Sequence, residues 1–259
     1  MAGERPPCAA GSDLFEFLLR MGDNCLILGH RASQWCGHAP ALEEDIALAN
    51  TALDLIGQTQ FWLGLAGDVE GKGRSADDLA YLRDAFEFRN VLLVEQPNGD
   101  FGQTLMRQFL FDAWHLPMLR ALTGSTNRAI AEIAEKSAKE VAYHLERTGD
   151  LVVRLGDGTP ESHRRMQAAL DLLWPFAGEL LEADEVVARL GRTGVVPEQA
   201  PVRETWQRHV DATLRSATLT APQTGHVQRG GTRGVHSEHL GFILAEMQFL
   251  QRAYPGAAW

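Results

Sequence analysis

Between Phe101 and Leu119 the chain sets Phe101, Leu105, Gln108, Asp112, His115 and Leu119 at steps of three and four. On a helix those positions share one face. A carboxylate and an imidazole one turn apart, inside an otherwise apolar stripe, need partners on neighbouring helices. A second helical pattern supplies candidates: Ile130, Ile133, Ser137, Glu140, Val141, His144 and Thr148 fall on one side. A third offers Asn50 and Asp54 beside Leu53 and Ile56. Several polar groups on the inner faces of several helices constrain the fold to a helical bundle built around a polar centre.

The rest of the chain fits that frame. Helical spacing predicts segments over about 12–36, 41–65, 75–93, 101–122, 128–155, 160–181, 182–191, 201–219 and 234–254. Ser12 or Asp13, Asp100 and Thr159 are expected caps. Ile46, Ala49, Leu53, Ile56 and Gln60 mark the expected inner face of the second helix. Gly67, Gly71 and Gly73 are expected in the loop after it, and Pro97-Asn98-Gly99 is a turn signal. Residues 1–11 read as an unstructured N-terminus, and 220–234 as a long loop carrying Arg229 and Arg233 that either contacts a partner or stays disordered. No segment alternates with the period of two expected for strands. The reading is one all-α domain over 1–259, with four long helices at its centre and additional helices around them.

Charge and cysteines narrow the function. A net charge of -10 repels phosphate backbones and speaks against nucleic acid as a partner. Cys8, Cys25 and Cys36 form neither a disulfide framework nor a zinc spacing, which suits a reducing cytoplasm. The first residues carry no apolar secretory core, and no run of about 18 apolar residues would span a membrane. There is no Gly-rich phosphate loop, no GxSxG and no CxxC.

Carboxylates and histidines on facing helices raise the possibility of a di-metal site. Such a site takes roughly four carboxylates and two histidines: one Glu from each of two helices and Glu-x-x-His from each of the other two. The spacing here falls short. Asp54 is followed at the third position by Gly57, and His144 is preceded by Val141. Glu140 is turned by about 100° from that slot. The first helix places Leu26-Ile27-Leu28-Gly29 at its middle, with only Asp23 and His30 nearby. Asp54, Asp112, His115, Glu140 and His144 are therefore read as remnants of a degenerate site that now form a satisfied polar network. No catalytic, cofactor-binding or metal-ligating residue is assigned. His236, Glu238 and His239 suit a capping or interface role, and Arg31, Arg107, Arg147 and Arg154 suit ion pairs or a partner.

Longer strings carry a resemblance. They are LGHRASQWCGHAP from Leu28 to Pro40, LEEDIALAN from Leu42 to Asn50, KEVAYH from Lys139 to His144 and VRLGDGT from Val153 to Thr159. HSEHLG from His236, LAEMQ from Leu244 and YPGAAW from Tyr254 complete the set. From about residue 13 onward the chain resembles the structural C subunits of the bacterial phenylacetyl-CoA epoxidases, which are multicomponent ring 1,2-monooxygenases.

The resemblance implies a ferritin-like fold and a stable complex with a homologous catalytic A subunit. That A subunit would hold the di-iron centre and the CoA thioester, and a reductase component would supply electrons. The assembly would carry out O2-dependent 1,2-epoxidation of phenylacetyl-CoA in aerobic phenylacetate degradation. This chain would be a cytoplasmic, non-catalytic partner that steadies the catalytic bundle, with no cofactor of its own. The alternative is an autonomous di-iron or di-manganese oxidase of the same fold, which would require two intact Glu-x-x-His pairs.

Overall fold

The computed structural model describes residues 10–223 and 225–257. Four long helices form the centre: α1 (Ala10–Ser33), α2 (Leu42–Glu70), α5 (Phe101–Leu122) and α6 (Arg128–Gly156). Short helices α3 (Ala76–Tyr81) and α4 (Leu92–Glu95) link the two halves, and α7 (Pro160–Ala177), α8 (Glu185–Arg192), α9 (Gln199–Ser216), α10 (Glu238–Met247) and α11 (Phe249–Ala253) pack around them. No strand occurs among the described residues, so the all-α, ferritin-like bundle is the observed architecture. None of the described helices is long and apolar enough to cross a membrane.

α1 pairs along its length with α2, and α5 with α6; α7 and α9 then cover α5. As a result α5 is buried almost all round, including Gln108, Asp112 and His115. It starts where Asp100 Oδ1 accepts the Gln103 amide at 2.9 Å, satisfying one free N–H of the first turn.

Several boundaries differ from the sequence reading, each for a tertiary reason. α1 begins at Ala10, so Ser12 and Asp13 lie within the helix and not at its cap. Asp13 is buried and takes both Nε and Nη2 of Arg189 on α8, at 2.6 and 2.8 Å. The expected unstructured N-terminus otherwise lies outside the described residues, as does Cys8. α1 ends at Ser33, three residues before the expected stop. α2 runs on through Gly67 to Glu70 and ends at Gly71, whose φ of 69° is the left-handed cap conformation that favours glycine. A Cβ at Gly67 would overlap the Arg74 carbonyl oxygen, so this glycine serves close packing inside the helix, not a loop.

The expected helix over 75–93 breaks after Tyr81. Ser75 and Asp78 cap its start reciprocally, but Arg83 then turns inward. Its guanidinium pairs with buried Asp23 on α1 and lies 4.3 Å from the centre of the Phe88 ring. The chain bends around that cation, leaving a 3-10 turn at Ala85–Glu87 and the short α4. α9 starts at Gln199 and takes Pro201 into its first turn, where a missing N–H costs nothing. The last expected helix is split at Gln248 into α10 and α11, and Gln248 Nε2 caps the Ala80 and Arg83 carbonyls at 3.0 Å each.

The long loop is anchored where it is described. Buried Glu179 accepts the backbone N–H groups of Gly230 and Thr232 through Oε1, and that of Leu92 through Oε2. His236 sits between Glu95 Oε2 (2.9 Å) and the Phe88 carbonyl (3.1 Å), holding the start of the C-terminal helices against α4.

Candidate functional site

The four long helices each contribute to one polar centre in an otherwise apolar core. α5 supplies Gln108, Asp112 and His115; α6 supplies Glu140, His144 and Thr148. Asp54 of α2 reaches it from the edge. The structure thus brings together all five residues singled out from the sequence. It adds two others, Cys25 of α1 and Gln58 of α2, both buried.

The contacts form two strings. In one, Gln58 Nε2 donates to Glu140 Oε2 at 2.9 Å, while Gln58 Oε1 lies 3.7 Å from the Cys25 thiol. That thiol is in turn 4.0 Å from His115 Nε2. In the other, Gln108 Nε2 donates to Asp112 Oδ1 at 2.8 Å, and the Thr148 hydroxyl lies 3.4 Å from Asp112 Oδ2. Thr148 also donates to the His144 carbonyl at 2.8 Å, and the His144 ring meets Asp54 Oδ2 at 2.9 Å. His115 stacks on Trp114 and lies 4.9 Å from the Phe111 ring.

Burial sets the electrostatics. It pushes the Asp112 carboxyl up to about 7, against the opposing pull of His144 and of the bonds from Gln108 and Thr148. It pushes the His115 ring down to about 3, with nearby His144 adding to the effect. The Cys25 thiol is raised by burial, then by the charges of Glu140 and Asp112. Each shift favours the neutral form.

A di-metal cluster does not fit this donor set. His115 Nδ1 and His144 Nδ1 have no hydrogen-bond partner and could in principle be donors. The carboxylates fail. An amide (Gln58) and a thiol (Cys25) share the centre with the carboxylates, Glu140 is engaged by Gln58, and the Asp54 side chain is 37% exposed at the rim. Among the described residues, no three His, Cys, Asp or Glu side chains are grouped to hold a metal ion.

Cys25 was hidden in the sequence because a buried thiol reads as apolar. Gln58 was hidden because the expected inner face of α2 is the wrong one. The buried residues of that helix include Leu48, Thr51, Leu55, Gln58, Trp62, Leu63 and Ala66, so the core-facing side is rotated from the expected one. The signal available was Trp62 in step with Leu55 and Gln58. Of the residues expected inside, Leu53 is 70% exposed, Ile46 54% and Gln60 is exposed, whereas Ala49 is half-buried and Ile56 packs against the core. α2 therefore carries two apolar faces, one packed on α1 and one open.

The arginines and terminal residues resolve as follows. Arg147 pairs with Glu44, and Arg154 with Asp150. Arg31 and Arg107 bind backbone carbonyls of Glu95 and Gln96 at 2.7 and 2.6 Å. Glu238 opens α10, and His236 belongs to the Glu95 clasp.

Comparison with known proteins agrees with the architecture. The C subunit of the 1,2-phenylacetyl-CoA epoxidase of Escherichia coli (strain K12) is 45% identical over 248 residues, covering 96% of this chain and all of that protein. A family model described as phenylacetic acid catabolic protein matches residues 1–259. The chain belongs to this family of phenylacetic acid catabolic proteins.

Proposed function

We propose that this chain is a non-catalytic structural subunit of a phenylacetyl-CoA 1,2-epoxidase, binding and steadying the homologous A subunit that carries the di-iron centre. The observation that carries this reading is the polar centre. It lies among the four long helices, and it holds Cys25, Gln58 and an Asp112 carboxyl that burial pushes up to about 7. The likeness to the C subunit of an epoxidase of that name supports the same assignment. A multi-subunit enzyme needs a docking face, and the exposed Leu42, Ile46 and Leu53 of α2 are compatible with one.

A reductase component completes the electron supply, and the chain works in the cytoplasm, where the free thiols of Cys25 and Cys36 stay reduced. The benefit of a metal-free partner is rigidity. Di-iron ligands must be held within about half an ångström, and a second bundle along the flank pins the helices that carry them.

Metal analysis tests the reading. The chain is expressed alone with excess iron, beside the same chain co-expressed with its A subunit. About two irons per pair and none in the lone chain are expected. Two irons per lone chain would make it an autonomous oxidase.

A further inference from the structure

Arg20, Arg83, Arg147 and Arg189 each meet a carboxylate from another segment of the chain. Arg31, near the end of α1, and Arg107, on α5, do not. Among the described residues neither has a carboxylate within ion-pair distance. Yet Arg107 is 1% exposed and Arg31 is half-buried. Their guanidinium groups are neighbours: Arg31 Nη2 donates to the Glu95 carbonyl at 2.7 Å, and Arg107 Nη1 to the next carbonyl, that of Gln96, at 2.6 Å. Burying a cation without a counter-charge is costly, and two side by side cost more. Burial, then the Arg31 charge, pushes Arg107 down to about 9, with no carboxylate drawing it back up. The Nε atoms of both arginines are enclosed and lack an acceptor.

The carboxylates that act on Arg31 do so from farther away. They are Glu95 and Glu246. The Glu95 carboxylate is already taken by Asn90, His236 and the Ser237 amide. Side-chain amides stand in the remaining space. Asn98 Oδ1 accepts from Arg107 Nη2 at 2.5 Å. Gln34 Oε1 accepts from Arg31 Nη1 at 3.2 Å and from Asn98 Nδ2 at 3.0 Å. Gln34 follows the last residue of α1 and is exposed, so it is free to swing out. Its amide oxygen brings a partial negative charge to a point that faces two donors and two cations. A carboxylate has the same planar shape and carries a full charge there.

We propose that Arg31, Asn98 and Arg107 form a binding site for a small carboxylate, whose oxygens displace the Gln34 amide oxygen and accept from Arg31 Nη1 and Asn98 Nδ2. Arg107 lies deeper and acts through its charge and through the bond that orients Asn98. The ligand enters from the Gln34 side, because Arg107 is enclosed. The anion supplies the counter-charge that the chain itself does not place beside the two arginines.

The test titrates acetate into the full-length chain at constant ionic strength, with chloride as the balancing salt. Side-chain N–H signals of Arg31, Arg107 and Asn98 are followed by NMR. They are expected to shift together and to saturate at acetate concentrations on the order of millimolar, while added chloride moves none of them. Sulfate, which is tetrahedral, should bind at least about fivefold more weakly. Arg31→Gln should abolish the shift at Asn98. Gln34→Glu places a carboxylate of the chain at the same point. It should raise the melting temperature and weaken acetate binding by about tenfold or more. Position 34 is exposed, so this variant folds whatever the outcome. Shifts that never saturate, an equal response to chloride, or native acetate binding in Gln34→Glu would each overturn the proposal. Sulfate binding as tightly as acetate would overturn the assignment to carboxylates.

Discussion

The Asp54 carboxylate and the His144 ring, 90 residues apart in the chain, meet at 2.9 Å and join the rim of α2 to the buried centre of α6. His144 is 1% exposed and Asp54 37%, so the pair spans the boundary between core and surface. Removing the acceptor leaves the ring with both nitrogens unpaired, because Nδ1 already has no partner. Asp54→Ala is expected to cost about 1–3 kcal/mol in urea denaturation, and Asp54→Asn, which keeps an acceptor oxygen, less than about 1 kcal/mol. Equal losses in the two variants would mean that this hydrogen bond is not the source of the effect.

Asp112 and His115 give opposite pH signatures from adjacent turns of α5. The Asp112 carboxyl rises from its ordinary value of 3.8 to about 7 in the folded chain. The stability tied to its proton is therefore complete below the unfolded value and is lost as the pH climbs to about 7. The His115 ring falls from 6.5 to about 3, so the stability tied to its neutral form is present above 6.5 and lost as the pH drops towards 3. The two trends partly cancel in the native chain and are separated by substitution. Asp112→Asn should gain about 2 kcal/mol relative to the native chain between about pH 5 and pH 8. His115→Gln should remove the acid-side decline. Parallel stability curves for all three proteins would show that neither group is buried as described.

How much of this was readable from the sequence differs by helix. α5 was legible because its polar residues interrupt an apolar stripe at helical spacing, and such groups are costly to bury unpaired. Gly57 in a histidine slot and Val141 in a glutamate slot were legible from the sequence alone, because ligand spacing is a local property. The inner face of α2 was not. Ile46, Ala49 and Leu53 keep helical periodicity as faithfully as Leu48, Leu55 and Trp62, and periodicity cannot distinguish a face that meets the core from one left open. The break after Tyr81 was invisible for a different reason. It is made by Asp23, 60 residues away, drawing Arg83 inward.

That Asp23–Arg83 pair is almost fully enclosed, and Asp23 Oδ2 also accepts the Arg89 amide at 2.8 Å. Deleting either charge strands the other in the core. Asp23→Ala and Arg83→Ala are each expected to destabilise the chain by about 3–5 kcal/mol. The double variant should lose clearly less than the sum, since no unpaired ion remains. A double-mutant cycle by chemical denaturation measures this. Strict additivity would mean that the two charges do not interact across α1 and the turn.

Glu179 is the anchor of the loop that precedes the C-terminal helices. One oxygen takes two backbone amides, Gly230 at 3.0 Å and Thr232 at 3.2 Å, while the other takes Leu92 at 2.8 Å. A carboxylate can serve all three, since both oxygens are acceptors. A glutamine keeps one acceptor and turns an NH2 group on whatever faced the other, so at least one amide of the set is lost to repulsion. Glu179→Gln should therefore loosen either the 230–232 turn or the start of α4 without melting the bundle. Amide hydrogen exchange locates the change: Gly230, Thr232 or Leu92 should exchange about tenfold faster or more, while amides in the middle of α5 keep their native rates. Uniform acceleration across α5 would instead make Glu179 part of the global core, and unchanged rates at all three amides would remove it as the anchor.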